Sequence, residues 1–135
     1  MENPKSEIQN PNEIPNPKSQ RERKPFNLRE RTFVFAIRIL EIASQLPRTG
    51  YGSRVADQVA RAGTSIGANV EEGDGGLTRP EKRRAFVVAR REAGETRYWL
   101  RIIDRVWGDT IKVKEDIAET MELINILSAI VSKLQ

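Results

Sequence analysis

The sequence predicts an all-α protein, an antiparallel up-down four-helix bundle that follows a disordered N-terminal leader. Four segments carry apolar residues at spacings of three and four, the period of an amphipathic helix, and none alternates as a strand does. Turn sequences at 46–50, 73–76 and 108–109 separate the segments, and such short connections favour antiparallel neighbours. Five of the seven prolines fall within the first 25 residues.

The leader is predicted to span residues 1–25, and the bundle residues 26–135. The leader repeats itself as NPKSEIQ, NPNEIP and NPKSQ and contains only three hydrophobic residues. Frequent prolines block helix formation and remove backbone donors, which is typical of a low-complexity disordered extension. A short partner-binding tail is the alternative, because Arg21, Arg23 and Lys24 place positive charge beside the bundle.

The first two helices are predicted at about 28–46 and 52–72, with Ser53 as the N-cap of the second. The main apolar stripe of the first helix consists of Phe35, Ile39, Ile42 and Leu46. A neighbouring stripe consists of Phe33, Ile37 and Leu40. The seam of the second helix consists of Val55, Val59, Ala62, Ile66, Asn69 and Gly73.

The third helix is predicted from Thr78 to Trp107, and the fourth at about 113–134. Thr78, with Pro80 in the first turn and Glu81 three residues later, forms a capping-box pattern. The main seam of the third helix consists of Phe86, Ala89, Ala93, Thr96, Leu100, Ile103 and Trp107. The seam of the fourth helix consists of Val113, Ile117, Thr120, Ile124, Leu127, Val131 and Leu134.

The third helix carries a second seam beside the first, which consists of Ala85, Val88, Glu92, Glu95, Trp99, Ile102 and Val106. A helix that closes one bundle needs a single apolar stripe about 100° wide. Two neighbouring seams predict either a contact with another subunit or a thick bundle core, and a wide apolar face alone does not decide between them.

The remaining face of the third helix is basic, and Tyr98 lies in the same sector. Its candidate nucleic-acid-binding residues are Arg83, Arg84, Arg90, Arg91, Arg97, Arg101 and Arg105. Each arginine that contacts a phosphate releases a counterion, and the planar guanidinium matches phosphate oxygens. The face therefore predicts RNA or DNA binding; a solvated face without a partner is the alternative.

A polar cluster is predicted between the second and third helices. Glu92 and Glu95 fall on an apolar stripe, where unpaired carboxylates are not tolerated, so we expect Arg61 to pair with one of them. Ser65 and Asn69 are expected to bind the remaining carboxylate lone pairs. The predicted buried structural network comprises Arg61, Ser65, Asn69, Glu72, Glu92 and Glu95.

The same carboxylates suggest a less favoured alternative, a magnesium-dependent nucleotide pyrophosphohydrolase. Enzymes of that all-helical class use Glu-Glu-x-x-Glu and Glu-x-x-Asp motifs. Here Gly75 stands in place of the third glutamate, and Arg61 would repel a cation.

The composition excludes several other functions. Because the chain has no cysteine and no histidine, it has no disulfide framework, thiolate zinc site or triad that needs either residue. No apolar run approaches the ~20 residues of a membrane span, and the N-terminus lacks the apolar stretch of a signal peptide. We therefore expect a cytoplasmic protein, and the sequence predicts no resident metal, no cofactor and no catalytic residue.

Two motifs carry a family resemblance: RAGTSIGANVEEG at 61–73 and AxxEAxETRYWL at 89–100. They resemble the bacterial four-helix-bundle proteins called 23S rRNA-intervening sequence proteins. The likeness spans about 26–107, and the fourth helix matches only in pattern. The resemblance implies an up-down bundle that assembles as a homopentamer, with no established catalytic residues. The family is similar in fold to the accessory protein of diversity-generating retroelements, a basic pentamer that binds nucleic acid and a reverse transcriptase.

These observations together predict a non-enzymatic, oligomeric bundle that binds nucleic acid through the arginine face of its third helix. A scaffold that recruits a protein partner, such as a reverse transcriptase, is the alternative from a different class.

Overall fold

Four helices form the described part of the chain, residues 27–135 of the computed structural model. They are α1 (Leu28–Gln45), α2 (Tyr51–Gly73), α3 (Arg79–Trp107) and α4 (Lys114–Lys133). Each helix packs against the next along the chain, and the predicted all-α up-down bundle is confirmed. The predicted leader lies outside the described residues. Within residues 27–135, no helix combines the length and apolar character that a bilayer span requires.

The helix starts follow from local capping chemistry. The Asn27 side chain accepts a hydrogen bond from the Glu30 amide at 2.6 Å and caps α1. The predicted capping box of α3 is confirmed, because the Thr78 amide donates to Glu81 Oε1 at 3.1 Å and the Glu81 amide donates to Thr78 Oγ1 at 3.4 Å.

The start of α2 corrects the prediction that Ser53 is its N-cap. The cap is Gly50, whose φ of +64° is a conformation that side chains disfavour, and no side chain caps this helix. The preceding turn is tight: a Cβ at Gly52 would lie 2.3 Å from the Pro47 carbonyl oxygen. This turn brings the chain into helical geometry at Tyr51, two residues before the serine.

The predicted apolar seams form one continuous core. Its fully or nearly fully buried members include Phe35, Ile39, Ile42, Leu46, Val55, Val59, Ala62, Ile66, Phe86, Ala89, Ala93, Leu100, Ile103, Val113, Leu127 and Val131. The register differs in three places. Val70 replaces the half-buried Asn69 in the core, and Leu123 is fully buried where Ile124 was expected. On α4, Ile117 is half-buried and its charged neighbour Asp116 is buried instead.

Glycines bring α1 and α2 close together. A Cβ at Gly63 would lie 2.6 Å from Ile39 Cγ2, and one at Gly67 would lie 3.2 Å from Thr32 Oγ1. Ordinary carbon contacts lie at about 3.5–4.0 Å. The absence of a side chain at Gly63 therefore sets the separation of these two helices.

Helices α1 and α4 meet differently, because none of their Cα atoms lie within 8 Å of each other. Arg31 donates to Glu119 at 2.7 and 2.9 Å and to Glu122 at 2.7 Å. Arg38 donates to Asp116 at 3.1 and 3.2 Å. Arginine–carboxylate pairs thus bridge this side of the bundle.

The two partners of the Arg38–Asp116 pair differ in what shifts their pKa values. Burial raises the pKa of the Asp116 carboxyl more than the hydrogen bond from Arg38 lowers it. For Arg38, burial lowers the guanidinium pKa, but its carboxylate neighbours raise it by more. Both shifts in pKa favour the protonated form, but for different reasons. Nearby carboxylates favour the Arg38 cation, whereas the Asp116 side chain, 11% exposed against 32% for Arg38, loses more hydration.

Among residues 27–135, no other element covers the outer apolar surface of α1. The α1 stripe consists of Phe33, Val34, Ile37 and Leu40, which are 45–58% exposed on the side of α1 away from the core. The second seam of α3 is more covered: Ala85 is buried, and Val88, Trp99 and Ile102 are half-buried. Among the apolar residues of that seam, Val106 is the exposed member, at 60%.

Candidate nucleic-acid interface

The seven candidate arginines of α3 divide into two groups. Arg83, Arg90 and Arg97 recur every seven residues and therefore share one rotational position, which lies beside α4. Arg83 Nε donates to the Val131 carbonyl at 3.4 Å, and Arg90 Nη1 donates to the Ser128 hydroxyl at 3.4 Å. The Nε of Arg97 is buried and has no hydrogen-bond partner among the described residues. All three side chains are half-buried, and those of Arg83 and Arg90 contact α4.

The other four arginines, Arg84, Arg91, Arg101 and Arg105, are exposed on the outer side of α3. Helix α3 contributes carboxylates too, but they are engaged elsewhere: Glu92 and Glu95 bind Arg61, and Asp104 binds Lys114. Within residues 27–135, none of the seven arginines has a carboxylate oxygen within 4.0 Å. As far as the described residues go, the outer side of α3 therefore presents guanidinium groups that form no ion pair.

A third row of α3 runs through this surface. The outer row consists of Val87, Arg91, Gly94, Tyr98, Arg101 and Arg105, spaced alternately four and three residues apart. Tyr98 is 55% exposed at its centre. The spacing is present in the sequence, but the row mixes apolar, small, aromatic and basic residues and therefore does not form an apolar seam. The sequence pattern thus indicates the arginines but not the row around Tyr98.

Arg61 occupies the predicted polar cluster between α2 and α3. Its Nη1 lies 3.4 Å from Glu92 Oε1, and its Nη2 binds Glu95 Oε2. Trp99 Nε1 donates to the same Glu95 oxygen at 3.1 Å. The pairing of Arg61 with these glutamates is present as predicted. The cluster is half-exposed rather than buried, because the Arg61 side chain is 48% exposed.

The other members of the predicted network make different contacts. Ser65 Oγ donates to the Arg61 carbonyl at 2.7 Å, and Asn69 Nδ2 donates to the Ser65 carbonyl at 2.8 Å. Short polar side chains readily reach the carbonyl four residues back in their own helix. Glu72 is exposed. The expectation that Ser65 and Asn69 bind the glutamates is therefore corrected: Arg61 and Trp99 already engage these carboxylates.

The geometry of the cluster bears on the magnesium alternative. The Arg61 guanidinium binds both carboxylates that would serve as ligands and offsets part of their negative charge. Among residues 27–135, no group of three or more acidic side chains is arranged to hold a metal ion. These side chains are suited to fixing the register of α2 against α3.

Comparison with known proteins places this fold in a family. A sequence profile described as 23S rRNA-intervening sequence protein matches residues 24–133. A crystal structure of a protein of unknown function from the S23 ribosomal protein family of Bacteroides thetaiotaomicron superposes with a TM-score of 0.67. It is 28% identical, and the match covers 78% of this chain and 98% of that one. Neither description names a catalytic activity, and no curated protein matches the chain. The chain belongs to the 23S rRNA-intervening sequence protein family.

Proposed function

We propose that this protein is a non-enzymatic, oligomeric helical bundle that binds nucleic acid through the outer side of α3. The observation that carries the proposal is a set of four exposed arginines that have no carboxylate partner within residues 27–135: Arg84, Arg91, Arg101 and Arg105. Phosphates supply the missing negative charge, and each contact releases a counterion. Such contacts position a nucleic-acid backbone without reading its base sequence.

The remaining charges support the same assignment. Arg83, Arg90 and Arg97 lie beside this surface and add to its positive potential, although their side chains pack against α4. The chain has a formal net charge of +4 and a pI near 9.7. The family description refers to 23S rRNA, and the solved relative is described as a member of a ribosomal protein family. We therefore favour RNA as the ligand.

A pair of matched double variants tests the proposal. Arg91→Gln/Arg105→Gln removes two charges from the outer side of α3, and Arg48→Gln/Arg54→Gln removes two exposed arginines elsewhere. Both variants lose the same net charge. Fluorescence anisotropy with a short labelled duplex RNA, repeated over a salt series, measures the affinity and its salt dependence.

The expected slope follows from the number of contacts. Four phosphate contacts give a slope of log K against log salt of about −3.6, so affinity falls roughly 150-fold between about 50 and 200 mM salt. The α3 variant reduces the magnitude of the slope by about 1.8, whereas the control variant leaves it unchanged. A slope near zero, or an equal loss in the two variants, would refute an electrostatic interface on α3.

The exposed α1 stripe supports a second candidate, an oligomeric scaffold that recruits a protein partner. Monomeric proteins rarely expose contiguous apolar patches of this kind, and Phe33, Ile37 and Leu40 repeat along one side of α1. We propose that subunits meet on this stripe and that the assembly is the homopentamer that the family resemblance implies. In the scaffold function, the assembly binds a protein, such as a reverse transcriptase, instead of nucleic acid.

Light scattering of two charge variants locates the subunit contact. Ile37→Glu/Leu40→Glu should yield folded monomers, because both side chains are exposed within the protomer. Val106→Glu, on the second seam of α3, should leave the mass of the assembly unchanged. The reverse result would move the contact to α3. A stable pentamer that binds neither duplex nor single-stranded RNA would favour the scaffold function.

A further inference from the structure

We propose that the outer row of α3 binds single-stranded nucleic acid, with one base stacked on the ring of Tyr98 and the flanking phosphates on Arg91, Arg101 and Arg105. This inference rests on the proposed function, since it uses the same surface. It adds a ligand class, single strand rather than duplex, and a residue that contacts a base.

Tyr98 has the exposure and the fixed orientation of a stacking platform. Its side chain is 55% exposed at the middle of a 29-residue helix, and its hydroxyl makes no hydrogen bond to another described residue. Its ring meets Trp99 edge to face, with centroids 5.3 Å apart and planes at 73°. In an edge-to-face contact, Trp99 covers at most one face of the Tyr98 ring, so at least one face is left for a ligand.

The polar cluster explains why the ring is held in place. Trp99 Nε1 donates to Glu95 at 3.1 Å, and Glu95 is bound in turn by Arg61 from α2. The indole that supports Tyr98 is therefore anchored to the neighbouring helix. A pre-oriented ring loses less conformational entropy on binding than a free one. The Arg61–Glu95 pair thus has a positioning role besides its structural one.

The residues around Tyr98 leave room for a base and supply charge on both sides. Gly94 lies one turn earlier on the same row, and a Cβ there would meet nothing within 4 Å. Arg91 and Arg105 lie seven residues before and after Tyr98, about 10 Å away along the helix axis, and Arg101 lies about 5 Å away. A strand that follows the row meets a guanidinium on either side of the ring.

This arrangement favours an unpaired strand over a duplex. Bases in a duplex are already stacked, and exposing one face costs a few kcal/mol. In a single strand the faces are available, and stacking on an aromatic side chain contributes about 1–3 kcal/mol per base. A duplex can engage the arginines but gains nothing from the tyrosine. Tyr98 therefore discriminates between the two forms.

The test measures the affinity of the full-length protein for a short single-stranded RNA of mixed sequence and for the same RNA annealed to its complement. Tyr98→Ala should weaken single-strand binding by about 10- to 100-fold and leave duplex binding unchanged. Tyr98→Phe keeps the ring and should bind within about twofold of wild type. Tyr51→Ala, which removes another exposed tyrosine, is the control and should change neither affinity.

Several outcomes would overturn the inference in distinguishable ways. If wild type binds both RNAs and Tyr98→Ala weakens neither or both equally, the stacking platform is refuted while the arginine interface stands. If wild type binds neither RNA, the proposed function itself fails. If Tyr98→Ala changes the mass of the assembly by light scattering, Tyr98 belongs to a subunit contact and the inference is refuted.

Discussion

Substitution of Gly63 by alanine tests the close approach of α1 and α2. The new Cβ would lie 2.6, 2.8 and 2.9 Å from the Cγ2, Cγ1 and Cβ atoms of Ile39. Ile39 is fully buried and β-branched, so its side chain has few alternative rotamers. The helices must therefore move apart, or Ile39 must leave its preferred rotamer.

The expected magnitude combines two opposing effects. Overpacking a core costs about 1–3 kcal/mol, whereas replacing glycine by alanine within a helix gains about 1 kcal/mol. Gly63→Ala should therefore lower the free energy of unfolding by about 0–2 kcal/mol. Gly94→Ala makes the same change on α3, where nothing lies within 4 Å of the new Cβ, and should raise it by about 1 kcal/mol.

Urea unfolding followed by circular dichroism, at one protein concentration because assembly adds to stability, measures both variants. The difference between them isolates the overpacking cost. As an internal check, Ile39→Ala should lower the free energy of unfolding by less in the Gly63→Ala background than in wild type. The new methyl group at position 63 fills part of the space that the Ile39 side chain vacates. Equal stabilisation by Gly63→Ala and Gly94→Ala would refute the proposed role of Gly63.

Three further predictions concern single side chains, each measured by urea unfolding. The pKa of Asp116 is raised above its ordinary 3.8 in the folded state. Protonated Asp116 therefore stabilises the folded state below pH 3.8, and this stabilisation is lost as the pH rises through the raised pKa. Asp116→Asn should therefore gain stability relative to wild type between about pH 3 and 7; a constant difference would contradict this. Thr78→Ala removes the capping box of α3 and should cost about 1 kcal/mol, and an unchanged midpoint would show that the cap contributes nothing. Arg97→Met keeps the packed stem and removes a buried Nε without a partner, so stability should stay the same or rise; a marked loss would show that Arg97 makes a stabilising contact.

The parts of the fold that the sequence predicts well are those decided by nearest neighbours along the helix. The main seam of α3 and its capping box depend only on spacing and local hydrogen bonds, and both agree with the structure. The start of α2 does not, because the turn that contains Pro47 and Gly50 decides it rather than the hydroxyl of Ser53.

The arginine face illustrates what spacing alone misses. Arg83, Arg90 and Arg97 repeat every seven residues, and Arg84 and Arg91 show the same interval one residue later. The two sets differ only in whether they face α4, and the position of α4 depends on the direction in which the chain winds around the bundle. The sequence of α3 alone does not reveal that direction.

The sequence indicates the α1 stripe but not its exposure, for a related reason. Phe33, Ile37 and Leu40 fall beside the buried stripe in the sequence pattern, and a wide apolar surface looks the same whether it is covered or not. Their exposure of 45–58% follows from the position of α1, which packs closely on α2 and lies farther from α4.

Because α1 and α4 are more widely separated than the other neighbouring helices, we expect the bundle to open between these two helices first. The pairs α1–α2, α2–α3 and α3–α4 pack closely, whereas Arg31 and Arg38 of α1 bridge to acidic side chains of α4. Since α1 also presents the stripe proposed to join subunits, separation of α1 from α4 would weaken both the protomer and the proposed assembly.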